Sequence, residues 1–296
     1  MAQSPRRQAL LVYTGRRDGL GNRVRALLSA QALAEAEERD LYYVWSTDKY
    51  FGPRMDQLWD FTAGRRVPRL VSRSLAPLAP FRGPHRVVLD DAVRRSRLWQ
   101  IRSHGLAIAW ADPAWEAPGA TGPRPWTAIL RELTPVDDIA ERIRAVFETR
   151  LRGGPYVGVQ VRTHAVSHAR TISSSPVDWF ASRMRQIRAQ WPSVPFFLSC
   201  DTPAAQARLM REFDGCVALE DKGGYNTTAG VRSALVDLYL LACSQHLVGA
   251  SYSSFVEMAV FLCNGRVPFE RPDQPLDGAV DLSLGLAADP LRPALR

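Results

Sequence analysis

The stretch GVRSALVDLYLLACSQHLVGASYSSFVEMA, residues 230–259, contains a helix, a strand, a serine-rich turn and a second helix in immediate succession. Apolar residues recur at helical spacing over residues 231–244, and the short apolar run over 246–250 predicts a buried strand. The turn SYSS then opens a helix predicted over 253–263. Helices that alternate with short apolar strands indicate a parallel α/β sheet.

The same alternation continues back to the middle of the chain and defines a doubly wound α/β domain. Its other predicted elements are a helix over 136–151, strands over 156–161, 195–200 and 216–219, and helices over 177–190 and 203–213. The proline-rich tail from Arg271 shows little periodicity, so we expect it to lie along the surface.

The first half of the chain opens with a second unit of the same kind. A strand over 9–13, a glycine loop, a helix over 24–38 and a strand over 41–45 follow one another, and further strands are predicted over 86–89 and 106–110. A chain of 296 residues is about twice the usual domain size. We therefore predict two Rossmann-like domains facing a cleft, residues 1–150 and 151–296.

Composition narrows the function classes. The net charge of +8 favours an anionic ligand, but the arginines are spread among acidic residues, which argues against a nucleic-acid tract. The four cysteines form no CxxC pair, so neither a zinc site nor a disulfide framework is predicted. The sequence contains no apolar run near the roughly 20 residues that a membrane span needs. We expect a cytoplasmic, bacterial-type enzyme.

Polar residues follow three of the predicted strands of the second half. Arg162, Asp201 and the turn at residues 251–254 all fall at carboxyl ends, where ligands of parallel sheets gather. Ser253 and Ser254 open a helix, whose free amides and positive dipole end favour an anion, and Arg162 could clamp a phosphate. The alternative is structural: Ser253 or Ser254 caps its helix, and Arg162 pairs with a carboxylate such as Asp201 or Asp237.

The GLGNR segment of the first half permits two interpretations. Its glycines either make a tight turn or bring backbone amides to the cleft together with side chains. The candidate residues there are Gly19, Gly21, Asn22 and Arg23. The segment lacks the full spacing of a dinucleotide site and the GK[ST] of a P-loop.

Taken in order, GLGNRVRALLSAQALA, VGVQVRTH, FFLSCD and the stretch at 230–259 resemble the fucosyltransferase superfamily, above all the α-1,6-fucosyltransferases, including the rhizobial nodulation-factor type. The resemblance implies a GT-B fold, a GDP-fucose donor held mainly by the C-terminal domain, inversion at the anomeric carbon and no required metal or other cofactor. It also implies an acceptor (glycan, peptide or small molecule) on the N-terminal side.

The resemblance assigns roles by position. Arg162 matches an arginine that grips the diphosphate, Ser253 and Ser254 match phosphate-side serines, and Asp201 matches an acidic residue near the nucleoside. Two residues of the penultimate helix and one of the glycine loop also have counterparts: Arg232, Asp237 and Asn22.

The chain departs from the family pattern around Arg162. Gln160, Thr163 and Ala165 stand where the family usually has histidine, arginine and aspartate, and a downstream glutamate that relatives use as base is missing. The nearest titratable side chains in the same loop are His164 and His168, which we take as candidate catalytic bases, with Asp18 of the glycine loop as a further possibility. Their i, i+4 spacing lacks a nearby glutamate, so no metal site is predicted.

Two rival functions remain open. The same fold could use a different nucleotide sugar, or the protein could be a basic nucleic-acid-binding protein without catalysis. A fucosyltransferase implies binding to a nucleotide sugar and not to nucleic acid.

Overall fold

The structure of the protein, a computed structural model, describes residues 8–79, 81–82, 86–88, 91–103, 109–111, 122–165 and 169–295. Contacts divide the chain into two compact units, Met1–Leu133 and Thr134–Arg296. In the described part, no helix is both long enough and apolar enough to cross a bilayer.

The first unit is built on a parallel five-stranded sheet with the order β3-β2-β1-β6-β4. Its strands are β1 (Ala9–Thr14), β2 (Asp40–Val44), β3 (Gly64–Arg66), β4 (Phe81–Arg82) and β6 (Leu98–Ser103), with a separate pair formed by β5 (Arg86–Val88) and β7 (Ala109–Ala111). Its helices are α1 (Leu20–Ala36), α2 (Arg69–Leu75), α3 (Asp91–Arg95) and α4 (Trp126–Glu132). Buried residues of β1 and α1 form much of the core.

The second unit is built on another parallel five-stranded sheet, with the order β10-β9-β8-β11-β12. Its strands are β8 (Val157–Val161), β9 (Phe196–Cys200), β10 (Cys216–Ala218), β11 (His246–Val248) and β12 (Phe269–Glu270). Its helices are α5 (Asp137–Val146), α6 (Ala169–Ser174), α7 (Val177–Gln190), α8 (Pro203–Glu212), α9 (Thr228–Ala242) and α10 (Ser254–Leu262). The central strands β8 and β9 are buried along their whole length, as parallel strands covered on both faces require.

Several elements differ from the sequence prediction. The predicted helix 136–151 is α5 followed by a π-type turn, Phe147–Leu151, and it packs against α9, so it belongs to the second unit. The glycines of GLGNR do not form a separate loop, because α1 already begins at Leu20. Of the predicted strand 106–110, residues 106–108 lie outside the described residues, and β7 begins at Ala109.

The C-terminal tail was expected on the surface and that expectation is wrong in part. Val280 and Leu282 are 3% and 6% exposed and belong to the core of the second unit. The indole nitrogen of Trp191 donates a hydrogen bond to the carbonyl of Val280 at 2.9 Å. This segment has no regular secondary structure, but the burial of its apolar side chains holds it against the second unit.

Candidate functional site

The candidate site lies where the chain changes direction in the second sheet. From β8 the chain moves outward through β9 and β10, and it then returns to the other side of β8 as β11. Ligands of open parallel sheets bind at the carboxyl ends of the strands beside such a switch point. Arg162 follows β8, and Ser253 follows β11, which pairs directly with β8.

A buried glutamine links these two strand ends. The Oε1 atom of Gln160, in β8, accepts a hydrogen bond from the amide of Ala250 at 3.2 Å. Gln160 is 2% exposed, so this bond is shielded from water. Gln160 therefore holds the loop after β11 against β8.

Among the described residues, the guanidinium of Arg162 contacts a tyrosine and no carboxylate. Its Nη2 atom donates a hydrogen bond to the hydroxyl of Tyr225 at 2.9 Å. The ring of Tyr225 stacks on that of His164, with centroids 4.0 Å apart and an interplanar angle of 14°. Arg162 and His164, two residues that the sequence singled out, are thus joined by a third that it did not.

Asp201 supports the loop that carries Arg162. Its Oδ1 atom accepts a hydrogen bond from the amide of Thr163 at 2.7 Å, and its carboxylate also accepts from the amide of His164 at 3.2 and 3.3 Å. The hydroxyls of Thr163 and Thr202 lie 2.6 Å apart. These contacts indicate that Asp201 positions the backbone of the loop after β8. The place near a nucleoside that the sequence predicts for Asp201 stays a prediction.

Ser253 is the residue immediately before α10, and its hydroxyl makes no cap. The side chain accepts no hydrogen bond from the helix, and Oγ is buried without a partner among the described atoms. The residue is 3% exposed. A buried hydroxyl without a partner is costly to the folded state, so its place beside the free amides of a helix start indicates a ligand-binding position.

The turn before α10 is strained and firmly held. Tyr252 has φ of 59°, in the left-handed region that a non-glycine residue rarely adopts. The Arg170 guanidinium lies 3.9 Å from the centre of the Tyr252 ring and donates a hydrogen bond to its hydroxyl at 2.7 Å. The amide of Ser251 donates to Ser175 Oγ at 2.9 Å, and the Ser251 hydroxyl bonds to Asp273.

Asp237 is the buried acid of the site. Its Oδ2 atom accepts hydrogen bonds from Lys222 Nζ at 2.8 Å and from Ser199 Oγ at 2.9 Å, whereas Oδ1 has no partner among the described atoms. Burial raises the pKa of Asp237, and the ammonium of Lys222 opposes that rise. The ammonium of Lys222 therefore compensates the negative charge of Asp237 and links the loop that carries Lys222 to α9.

The loop that carries Tyr225 is fixed by its ends. Thr227 caps α9 by accepting a hydrogen bond from the Gly230 amide at 3.1 Å. A Cβ atom at Gly230 would lie only 2.0 Å from the carbonyl oxygen of Gly224, so glycine is needed there. Arg142 donates from Nη2 to the Asp221 carbonyl at 3.1 Å. The loop that carries Tyr225 is therefore fixed in the position in which the Tyr225 hydroxyl contacts Arg162.

The remaining sequence candidates have other surroundings. Arg232 forms an ion pair with Asp138 of α5. Ser254 is the first residue of α10. His168 lies outside the described residues. In the described segments, no cluster of three or more His, Cys, Asp or Glu could hold a metal ion.

The candidates of the first unit lie at the start of α1. Gly19 immediately precedes the helix, and Gly21, Asn22 and Arg23 are inside it. Arg23 is 0% exposed, and its guanidinium donates hydrogen bonds to the carbonyls of Asp18, Ser46 and Arg16, each at 2.8 Å. Burial lowers the pKa of Arg23 to about 10. This geometry favours a structural role for Arg23 over direct ligand contact.

Comparison with known proteins bears on the fold. No family model matches the chain, and no curated protein matches it in sequence. Among solved structures, the NodZ alpha-1,6-fucosyltransferase co-crystallised with GDP matches with a TM-score of 0.54 at 18% identity, covering 85% of this chain and 92% of that one. The chain has a fucosyltransferase fold.

Two further fucosyltransferase folds match over most of their length. Arabidopsis thaliana FUT1 in complex with GDP matches with a TM-score of 0.55 at 13% identity, covering 92% of this chain and 71% of that one. POFUT1 in its apo form matches with a TM-score of 0.53 at 12% identity, over 91% and 99%. The predicted resemblance and the α/β class with two Rossmann-like units are thereby confirmed.

Within this fucosyltransferase fold, sequence reasoning missed Lys222 and Tyr225. A signal for Lys222 was present, since it is one of only two lysines in a chain whose cations are otherwise arginines. Tyr225 had no such signal, because its contact with Arg162 spans 63 positions.

Proposed function

We propose that the protein is a glycosyltransferase that moves a sugar, fucose from GDP-fucose in the first instance, to an acceptor hydroxyl. The observation that carries the proposal is that Arg162 and Ser253 follow two directly paired strands, β8 and β11, and that the Ser253 hydroxyl is buried without a partner among the described atoms. The solved structures of this fold that hold GDP add support.

The proposed reaction is a displacement at the anomeric carbon. The acceptor oxygen forms a bond to that carbon as the bond to the diphosphate oxygen breaks, and the nucleoside diphosphate leaves with the electron pair. Arg162, Ser253 and the amides of α10 stabilise the negative charge that grows on the diphosphate, which is the largest catalytic contribution of such sites. Single displacement inverts the anomeric configuration, and the protein's own cations take the place of a metal.

The acceptor proton passes to a base within hydrogen-bond reach. His164 and His168 are the candidates. His164 is held by the stack of its ring on Tyr225 and by a hydrogen bond from its backbone amide to the Asp201 carboxylate. Replacement of either histidine by alanine, scored on turnover with donor binding as the control, distinguishes them.

Thermal unfolding with GDP, UDP, TDP and their sugars tests the donor. A ligand at a hundred times its dissociation constant adds about 2.7 kcal/mol to the free energy of unfolding. We expect stabilisation by GDP. Stabilisation by UDP alone points to a different nucleotide sugar, and binding only to nucleic acid, with steep salt dependence, excludes a glycosyltransferase.

Replacement of Arg162 by alanine tests the site. Turnover and GDP stabilisation should both fall while the unliganded protein keeps its unfolding temperature. The matched control is Arg211→Ala, an exposed arginine of α8 in the same unit. If turnover and unliganded stability are lost together in the Arg162 variant, the role of this residue is structural.

Two further experiments test the finer claims. Turnover that persists in EDTA supports metal independence, and assignment of the product anomer by NMR tests inversion.

A further inference from the structure

The loops after β1 and β2 of the first unit gather three cations around one ring. Arg16 and Arg17 have their Cζ atoms 5.2 and 5.1 Å from the centre of the Tyr50 ring, and Lys49 Nζ lies 5.3 Å from it. We call Arg16, Arg17, Lys49 and Tyr50 the Tyr50 cluster. Its cations approach within the range of cation–π attraction.

The charges of the Tyr50 cluster are not balanced by the residues that the structure describes. Arg16 pairs with Asp48, at 2.5 Å between Nε and Oδ2. Arg17 and Lys49 are exposed and form no ion pair with any residue that the structure describes. Two positive charges remain for an anion from outside.

The cluster lies at the edge of the sheet where ligands gather. Its members follow β1 and β2; the neighbouring strand β3 ends at Arg66, and Arg102 is the next-to-last residue of β6. Arg66 donates hydrogen bonds to the Trp45 carbonyl and the Thr47 hydroxyl, both at 3.1 Å. The carboxyl ends of four adjacent strands thus carry positive charge.

The two loops are held in place by the buried Arg23. This side chain joins Arg16 and Asp18 of the first loop to Ser46 of the second through hydrogen bonds of 2.8 Å to their carbonyls. The amide of Tyr50 also donates to Asp48 Oδ1 at 2.9 Å. Loops fixed before binding lose little entropy when a ligand arrives.

We propose that the Tyr50 cluster binds the acidic groups of a glycan, and that the acceptor of this enzyme is a sugar chain bearing carboxylate or sulfate. The description of that glycan as the acceptor rests on the proposed function. The small size of the cluster favours this ligand over nucleic acid. Two cations without an ion pair among the described residues, beside one aromatic ring, match one or two anionic groups and the sugar next to them. A phosphate backbone carries many regularly spaced charges and is bound by an extended basic surface.

Calorimetric titration tests the proposal with four probes: a chondroitin sulfate tetrasaccharide, a hyaluronan tetrasaccharide, neutral chitotetraose and a short single-stranded DNA. The test variant is R17Q/K49Q. The control is R73Q/R95Q, which removes two exposed arginines from the same unit and the same charge. We expect binding of at least one acidic tetrasaccharide, weakened about tenfold in the test variant and less than about twofold in the control.

An equal loss in both double variants overturns the proposal, since only net charge then matters. Equal affinity for chitotetraose, no affinity for either acidic tetrasaccharide, or tighter binding of DNA that the test variant abolishes also overturns it. GDP stabilisation measured in parallel separates the two claims. If GDP stabilises the protein but no acidic sugar binds, this inference alone fails. If acidic sugar binds through the cluster and no nucleotide stabilises the protein, the proposed function fails and the binding site stands.

Discussion

The hydroxyl of Tyr225 accepts a hydrogen bond of 2.9 Å from Nη2 of Arg162, the residue that follows the central strand of the second sheet. Tyr225 comes from the loop before α9, so this one bond fixes the direction of the guanidinium from outside its own strand. The stacked ring of His164 completes the arrangement.

Tyr225→Phe removes the hydroxyl and keeps the ring that stacks on His164. Because Arg162 loses its oriented partner, we expect GDP affinity to fall by about three- to tenfold, with unfolding free energy changed by less than about 0.5 kcal/mol. Calorimetric titration of GDP and urea unfolding measure the two quantities. Tyr42→Phe, in the other unit, is the control, and an unchanged GDP affinity for Tyr225→Phe contradicts the role assigned here.

Ser253 and Ser251 should respond in opposite ways to alanine. The Ser253 hydroxyl is buried without a partner among the described residues, so Ser253→Ala should leave unfolding free energy unchanged or raise it by up to about 1 kcal/mol while GDP binding weakens. The Ser251 hydroxyl bonds to Asp273, so Ser251→Ala should lower unfolding free energy by about 1–2 kcal/mol. Urea unfolding with and without GDP tests both. A destabilised unliganded Ser253 variant means that this hydroxyl has a structural partner.

Lys222→Met leaves the Asp237 carboxylate buried without its ammonium partner. We expect a loss of about 3–5 kcal/mol in unfolding free energy at neutral pH. Because the pKa of folded Asp237 is raised, protonation favours the folded state, and the defect should shrink as pH falls. The double variant Lys222→Met/Asp237→Leu should recover most of the loss. A defect that stays constant with pH, or a double variant that is worse than the single one, contradicts this account.

Glu270 should make stability sensitive to acid. Its buried carboxylate accepts a hydrogen bond from Arg183 Nε at 2.8 Å, and its Oε1 lies 2.7 Å from His246 Nε2. Burial tends to raise the pKa of Glu270, but the hydrogen bonds from His246 and Arg183 outweigh it, and the pKa lies below the ordinary 4.5. A lowered folded pKa contributes stability above that ordinary value, which is lost as pH falls through the folded pKa.

Urea unfolding between neutral and acid pH tests this linkage. Glu270→Gln should lower stability by about 3 kcal/mol at neutral pH and flatten the acid limb of the profile. Glu148→Gln, which disrupts the exposed pair with Arg152, is the control and should change stability by less than about 1 kcal/mol. An acid limb that survives in Glu270→Gln assigns the effect to other carboxylates.

The second unit was more predictable than the first. The helix predicted over 177–190 has those bounds in the structure, because proline precedes it and its apolar face repeats at helical spacing. Strand β6 was missed although it pairs with β1 at the centre of the first sheet. Its sequence includes Gln100, which is buried through hydrogen bonds to Ser72 at 3.0 Å and to the Ala79 carbonyl at 2.8 Å. From sequence alone, a buried polar residue is easily assigned to a loop, because the distant groups that satisfy its hydrogen bonds are not evident.

The sequence by itself determined the alternation of strands and helices, and with it the placing of Arg162, Asp201 and Ser253 at strand ends, because those features depend on local periodicity and on residue type. Only the tertiary structure decided what each of them contacts: Tyr225 for Arg162, two backbone amides for Asp201, and, within the described segments, no partner for the Ser253 hydroxyl. It likewise buried Arg23, an arginine that its sequence neighbourhood does not distinguish from Arg17. The reason is physical: burial and hydrogen bonding are set by residues far apart in the chain, which come together only when the sheets pack.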